Sequence, residues 1–351
     1  MQQPHSRSFW SGRRVLVTGH TGFKGSWLVC WLRDLGAVVH GVSLPGDHGD
    51  PCLWNDLALE GVTETRADLS TDSWVEDAVR FNPEVVVHMA AQSLVSEGYR
   101  DPATTFLTNV QGTVQVMAAL PRFADLLATL VVTTDKVYDT RQPAPYGEDQ
   151  FLGGSDPYSA SKACAELVTH SWPGLSTPVA TARAGNVIGG GDYSINRIVP
   201  DIVRAWSKGD ALTLRRPTAV RPWQHVIEPL AGYLSYIERL AAGDPLPTAL
   251  NFGPDREQAV PVVELVEHAA REWQRLTGAA TPSWQVVPEP GMPETQDLTL
   301  EPGLAQTTLR WGNRWSWQEA TTASLEWYVG AATGREPRDL MLAQLRAYHA
   351  A

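Results

Sequence analysis

Three apolar residues, Val15-Leu16-Val17, run directly into Thr18-Gly19-His20-Thr21-Gly22-Phe23-Lys24-Gly25, and a helical pattern follows from Ser26. No other feature constrains the fold as much. A buried strand that ends in glycines spaced three apart and opens an amphipathic helix predicts a strand–helix–strand unit of a parallel sheet. On that helix Trp27, Leu28, Trp31, Leu32 and Leu35 fall on one face. Gly36 ends it, and Val38 to Leu44 reads as a second strand before Pro45-Gly46. Val85-Val86-Val87-His88 and Leu130-Val131-Val132-Thr133 are continuous apolar runs, as expected of parallel strands buried on both faces. Helical patterns such as Asn109 to Leu120 fill the gaps. The alternation predicts an α/β fold, a doubly wound parallel sheet of Rossmann type. A chain of 351 residues exceeds one ordinary core, so a smaller C-terminal lobe is expected. We assign residues 1–188 to the dinucleotide-binding domain and 189–351 mainly to a substrate-binding lobe. A return segment near 224–254 rejoins the first domain through a short strand at Ala249 to Phe252.

The formal net charge of −11 argues against a nucleic-acid partner. An anionic ligand must then be met by locally placed arginines and backbone N–H groups. No apolar run reaches bilayer length, so no membrane association is expected, and Met1 to Arg14 holds no signal-like apolar core. Cys30, Cys52 and Cys164 form no CxxC and cannot all pair, which predicts a reducing, cytoplasmic setting; Cys164 reads as a packing residue. No metal site is predicted. The chain has only four lysines, Lys24, Lys136, Lys162 and Lys208. Three of them fall inside the motifs that follow, and Lys208 reads as solvated surface.

Gly19, Gly22 and Gly25 would let a pyrophosphate approach the N–H groups of a helix N-terminus, so a dinucleotide cofactor is predicted over a bare structural turn. No acidic ribose ligand stands clearly at the usual distance, and Asp47 follows the Pro-Gly turn rather far along. No Lys or Arg occurs between Arg33 and Arg66 to balance a 2′-phosphate, so NAD is preferred to NADP, with Lys24 the one residue that softens this. Asp68 reads either as an adenine contact or as a turn aspartate.

Tyr158 and Lys162 are four residues apart in a helix-compatible run, which places both on one face. An ammonium beside a phenol favours the phenolate and would bring it toward use as a base. Thr134 follows an apolar strand at the end where open parallel sheets bind ligands; its hydroxyl can meet a substrate hydroxyl or the tyrosine. Asp135 and Lys136 supply one proton donor and one acceptor, or else only a strand-end ion pair.

Read together, these residues resemble the extended short-chain dehydrogenase/reductase family, nearest its CDP-glucose 4,6-dehydratase branch. The resemblance spans Val15 to about Tyr348. It is carried by the glycine run, by His88-Met89-Ala90-Ala91-Gln92, by Thr133-Thr134-Asp135-Lys136-Val137-Tyr138 and by Asp156-Pro157-Tyr158-Ser159-Ala160-Ser161-Lys162. Ala182 to Asp192, Val220-Arg221-Pro222-Trp223-Gln224-His225-Val226 and the Leu309 to Trp317 stretch continue it. The resemblance implies oxidation of a nucleotide hexose at carbon-4, elimination of water across carbons 5 and 6, and hydride return to carbon-6. In that scheme Tyr158 takes the 4-hydroxyl proton, Lys136 the carbon-5 proton, and Asp135 protonates the departing 6-hydroxyl, although the last two labels could be exchanged. It further implies that Gly19, Gly22, Phe23, Lys24, Gly25, Asp68, Leu69, Ala90, Asn109, Tyr158 and Lys162 hold NAD. Gln92, Thr134, Asn186, Arg197, Arg221 and His225 would meet the substrate, with CDP-glucose first among candidates; loop packing is the alternative for Trp223 and His225. Ser96-Glu97-Gly98 and Thr140 to Gly147 depart from the family pattern and should border the sugar pocket. A sugar-nucleotide 4-epimerase is the alternative enzyme, which has no need of Asp135 and Lys136; a binding protein of the same fold would have lost one of Thr134, Tyr158 or Lys162. A homodimer through two helices is expected by analogy of fold.

Overall fold

A computed structural model describes residues 6–46, 51–287 and 298–351. Seven strands form its central sheet: β1 (Arg14–Thr18), β2 (Val38–Ser43), β3 (Val62–Arg66), β4 (Val85–His88), β5 (Ala128–Val132), β6 (Val179–Ala184) and β7 (Ala249–Phe252). Their order is β7-β6-β5-β4-β1-β2-β3, and every pairing is parallel. The first three strands wind away in one direction and β4 returns to the other side of β1. The reversal between β1 and β4 opens a crevice at the carboxyl ends of the strands, where such sheets take ligands.

Local sequence accounts for these elements. β4 and β5 are buried at every residue because helices cover both faces. Along β1, Val15 and Val17 enter the larger core while Leu16 enters a second core with Val86, Met117 and Trp74, as a two-residue period requires. The helix after the glycine turn runs Phe23–Asp34, starting earlier than its apolar stripe suggests because Gly22 serves as N-cap. Trp27, Leu28, Trp31, Leu32 and Leu35 are all buried. The helical stretch from Pro102 to Ala119 is interrupted by a π-turn at Leu107–Gln111, which the sequence pattern did not reveal.

After β6 the chain forms the Ile198–Trp206 helix, returns through the Ile227–Ala241 helix to β7, and ends in helices Val262–Thr277, Trp317–Ala332 and Pro337–Ala350. A side chain at Gly232 would stand 2.3 Å from the Phe252 ring, so glycine lets that returning helix lie against β7. Glu228, fully buried, accepts the backbone N–H groups of Arg314 (3.0 Å) and Trp315 (2.8 Å) and is bonded to the Tyr348 hydroxyl (2.9 Å). It fastens the tryptophan-rich tail to the core. Among the described residues no helix is long and apolar enough to cross a membrane, and no group of three or more His, Cys, Asp or Glu could hold a metal ion.

Candidate active site

A cavity of about 930 Å³ occupies the β1/β4 crevice. The Thr18 hydroxyl shapes its floor: it accepts the N–H groups of Met89 and Ala90 (both 3.2 Å) and is bonded to His88 Nδ1 (2.7 Å). Burial holds the His88 imidazole down at about 3, with the Lys162 charge adding to the effect, so the ring is a neutral strut between Thr18 and Thr113.

The glycine turn lines this cavity with Gly19, Thr21, Gly22, Phe23, Lys24 and Gly25. Gly19 has φ +73° and a side chain there would lie 2.7 Å from the Ala90 backbone; one at Gly25 would lie 2.1 Å from the Gly19 carbonyl. No side chain caps the Phe23–Asp34 helix, so its first-turn N–H groups open onto the crevice. Asp68, Leu69 and Ala90 line the same half, as expected for a dinucleotide. Asp68 is a turn residue, accepting the Ser70 N–H at 2.9 Å, and it also lines the cavity. Asp47 lies outside the described residues. Strand pairing sets Arg66 opposite Ser43 at the end of β2, where its Nη1 donates to Ser43 Oγ (3.0 Å) and its Nε and Nη2 to Glu64 Oε2. A search of the local sequence could not see this arginine, because the sheet and not the chain brings it there. The residues present fit an NAD-sized group: a glycine cradle, an uncapped helix start and a long crevice.

Tyr158 and Lys162 sit on the Pro157–Ser171 helix, which Asp156 caps by accepting the Ser159 N–H at 3.0 Å and which Pro157 starts. Both side chains are buried and line the cavity. One expectation needs correction. The phenol is not lowered by the adjacent ammonium; burial pushes it up to about 12, and the contact that chiefly counters burial is its hydrogen bond with Thr134. Lys162 Nζ donates instead to the Val132 carbonyl (2.8 Å), and burial brings it down to about 8 against the opposing pull of Glu166.

Thr134 is the hub. Its hydroxyl donates to Asp135 Oδ1 (2.8 Å), accepts the Lys136 N–H (3.4 Å) and bonds Tyr158. Lys136 Nζ lies 3.3 Å from the same Asp135 oxygen. The other, Oδ2, is buried without a hydrogen-bond partner in a carboxylate only 1% exposed. A buried, unpaired carboxylate oxygen is costly, and this one belongs to a residue that lines the crevice. The strand-end ion pair is real, and it faces the cavity beside the tyrosine.

Lys24 is partly buried between these units. Burial first, then the Arg197 charge, bring its amine down to about 7, while Asp135 opposes them. Arg197 reaches Asp192 (3.1 Å) and Ser93 Oγ (3.3 Å), bridging the two walls. Gln92, Asn186 and Arg221 also line the cavity, and Asn186 Oδ1 is buried without a partner. Two assignments are corrected. His225 does not line the cavity; it is fully buried, its ring held edge-on to Trp27 and Trp315, and burial lowers it to about 3. Asn109 likewise stands behind the wall. Its Oδ1 accepts the Gln92 N–H (2.8 Å) and its Nδ2 donates to the Gln92 carbonyl (3.0 Å) and to Ser161 Oγ (2.8 Å), so it locks the Gln92 loop to the tyrosine helix.

Sequence reasoning missed Arg215 and Arg216, which follow the short Leu212–Leu214 strand and line the far end of the cavity. The signal was available: two adjacent arginines in a chain whose cations are scarce. Lys24, Lys136, Lys162, Arg197, Arg215, Arg216 and Arg221 meet five lining aspartates, so the cavity carries a basic excess within a chain of 28 basic and 39 acidic residues. Local excess of this kind draws an anionic ligand to an acidic protein.

Residues 15–253 match the NAD dependent epimerase/dehydratase family. The chain belongs to that family. NAD is its cofactor, and the resemblance read from the motifs holds. The chain is 37% identical over 344 residues to a CDP-glucose 4,6-dehydratase of Salmonella typhimurium, covering 94% of each. Among solved structures, an epimerase of Methanothermobacter thermautotrophicus superposes with a TM-score of 0.81 at 22% identity, over 93% of this chain and 95% of that one. A dTDP-glucose 4,6-dehydratase of Bacillus anthracis in complex with NAD superposes at 0.75 and 20% identity, over 93% and 100%. At these identities the two structures support the fold alone.

Proposed function

We propose that this family member is a nucleotide-diphosphate-hexose 4,6-dehydratase and that its substrate is CDP-glucose. The observation that carries the reading is the Asp135–Lys136 pair beside Tyr158 in one cavity, with Asp135 Oδ2 buried and unpartnered. A 4-epimerase needs the tyrosine but has no work for that oxygen. The 37% identity to the Salmonella typhimurium enzyme supports the choice of CDP-glucose.

NAD, when bound, supplies an acceptor for the carbon-4 hydride and later the donor that reduces carbon-6. Gly19, Gly22, Phe23, Lys24, Gly25, Asp68, Leu69 and Ala90 would hold it. Tyr158 takes the proton of the 4-hydroxyl. Thr134 readies it by turning its own proton from Asp135 toward the Tyr158 phenolate before that transfer. The 4-ketone acidifies the carbon-5 proton. With the pair's proton shifted from the Lys136 ammonium to Asp135 across their shared contact, the neutral amine removes the carbon-5 proton. The Asp135 carboxyl gives its proton to the leaving 6-hydroxyl, which restores the ion pair. The two roles titrate as one unit, because the two groups share Asp135 Oδ1 at 3.3 Å. Arg221, Arg215 and Arg216 would hold the diphosphate and nucleotide end, with Gln92, Asn186 and Arg197 toward the hexose.

In this reading residues 1–188 carry the dinucleotide and 189–351 mainly the substrate. The protein works as a homodimer, supported by Phe106, Leu107 and Leu167, which leave apolar side chains in solvent on two helical segments that pack together. Its three free cysteines suit a cytoplasmic setting.

Incubation with CDP-, dTDP-, UDP- and GDP-glucose tests the proposal. CDP-glucose deuterated at carbon-4 should yield a 4-keto-6-deoxy product with the label in its methyl group. Lys136→Ala and Asp135→Asn should bind NAD as the parent does and form no such product. Retention of the label at carbon-4, its loss to solvent, or dehydration by either variant at the parent rate would refute the assignment.

A further inference from the structure

One buried network is not used by this chemistry. Glu166 lies fully buried one helical turn beyond Lys162. Its Oε1 accepts the Thr133 hydroxyl and Arg183 Nε (3.0 Å); its Oε2 accepts Arg183 Nη2 (2.9 Å) and the Thr181 hydroxyl (2.7 Å), with His170 Nε2 at 3.1 Å. Arg183, on β6, donates Nη1 to the Tyr138 hydroxyl (2.8 Å) and stands 5.0 Å from the centroid of that ring. The Tyr138 hydroxyl donates in turn to Asn251 Oδ1 on β7 (2.7 Å).

A buried ion pair is weak grounds for a stabilising role, because desolvation offsets much of its attraction. Where this network ends is more telling. Thr133 immediately precedes Thr134, and Tyr138 lies two residues after Lys136. The network therefore grips both ends of the acid/base segment and ties them to the tyrosine helix, β6 and β7. That segment has little rigidity of its own. It is one 3₁₀ turn, Asp135–Val137, capped by a long 3.4 Å bond from the Lys136 N–H to Thr134. Tyr158 has separate supports: the Asp156 cap, the Asn109–Ser161 bond, and Gly98, where a side chain would stand 3.1 Å from the Tyr158 nitrogen.

We infer that Glu166, Arg183 and Tyr138 form a positioning brace that holds Asp135 and Lys136 in register with the hexose, so that elimination depends on the brace more than hydride transfer does. The inference rests on the dehydratase reading. Displacing a reacting group by about 1 Å can cost on the order of 100-fold in rate. The brace thus acts through the two groups that touch substrate.

Tyr138→Phe tests it, because the ring stays and only the hydroxyl link to Arg183 and Asn251 goes. The assay uses CDP-glucose unlabelled, deuterated at carbon-4 and deuterated at carbon-5. We expect kcat to fall about tenfold or more with KM within about twofold, since positioning and not binding is lost. The carbon-5 isotope effect should grow and the carbon-4 effect shrink, and in a single turnover the 340 nm absorbance of reduced nicotinamide should rise above that of the parent. A variant that is merely less folded keeps the parent isotope effects, because a smaller active fraction leaves them unchanged. Should Tyr138→Phe fail to fold, Arg183→Lys keeps a charge opposite Glu166 while giving up the fork that reaches Tyr138, and the same pattern is expected. Unchanged kcat, or a fall with parent isotope effects and parent absorbance, overturns the inference alone. A parent enzyme that forms no keto-deoxy product from any of the four sugar nucleotides overturns the functional reading, and the brace with it.

Discussion

Replacing Thr134 by valine removes one hydroxyl and keeps the branched shape. That hydroxyl has a single proton, which it donates to Asp135 Oδ1 at 2.8 Å while also hydrogen-bonded to Tyr158. While Tyr158 is the phenolate the hydroxyl must turn toward it, and once Tyr158 has taken the 4-hydroxyl proton the hydroxyl is free to turn back to Asp135 for the elimination. One rotor thus couples the two halves of the reaction. A hydrogen bond to a charged group is worth about 1.5–3 kcal/mol, and about 1.4 kcal/mol is tenfold, so kcat should fall about 10- to 150-fold in Thr134→Val. The direction of the pH effect follows from the same bond. Burial already holds the phenol up at about 12, and Thr134 is the chief group that draws it down. Without it the phenol rises further, and the limb on which activity increases with pH moves to higher pH. Thr134→Ser keeps the hydroxyl and should keep most of the activity. The assay is product formation from CDP-glucose across pH, with NAD affinity measured in parallel and expected to stay at the parent value. Thr134→Val within about threefold of the parent at every pH, or Thr134→Ser as impaired as Thr134→Val, would refute the coupling.

Stability should depend on pH through Glu228, whose carboxyl is raised by burial from 4.5 to about 7. Below about pH 4.5 the group is neutral in folded and unfolded chains alike and its contribution is fully present. As pH rises from there to about 7 the unfolded chain ionises first, and the folded state loses about 3 kcal/mol. Glu228→Gln should therefore melt higher than the parent at pH 8.5 and nearly with it at pH 5; a lower melting temperature at pH 8.5 would count against this account. In the glycine turn, a side chain at position 25 would lie 2.1 Å from the Gly19 carbonyl and 2.8 Å from the His20 Cα, whereas one at position 22 meets only that carbonyl at 3.3 Å. Gly25→Ala should weaken NAD binding by at least about tenfold and lower the melting temperature, and Gly22→Ala should spare the melting temperature; calorimetric titration and thermal melts check the order.

The legibility of the fold follows from how local its causes are. β1, the glycine turn and the Phe23–Asp34 helix are written in adjacent residues: apolar run, three glycines, a stripe of period 3.6. The same holds for β4 and β5, whose burial on both faces leaves no polar position to blur the pattern. The π-turn at Leu107–Gln111 was invisible because a single widened turn does not disturb apolar periodicity over eighteen residues. Arg66 beside Ser43 was invisible for a different reason. They are separated by 23 residues of chain and joined only by β2–β3 pairing.

The site divides along the same line. Thr134, Asp135, Lys136, Tyr158 and Lys162 were legible because each pair or trio is contiguous or one helical turn apart, and each converges on one cavity. What the chemistry of neighbours does to a pKa was not legible, since it depends on where a side chain ends and not on where it starts. Lys162 begins one turn from Tyr158, yet its amine ends on the Val132 carbonyl, and the phenol is governed by burial and Thr134. His225 and Asn109 fail as direct contacts for the complementary reason. Both belong to motifs that reach the cavity, but His225 is turned into the Trp27–Trp315 packing and Asn109 acts through Gln92 and Ser161. A motif marks a stretch of backbone that the site needs in place; which of its side chains touch ligand is decided by the strand or helix that carries them. The Glu166–Arg183–Tyr138 brace extends that argument by one step. Three residues from three motifs, none of them facing the cavity, are where the sequence spends buried charge to keep a short, otherwise loose turn in register.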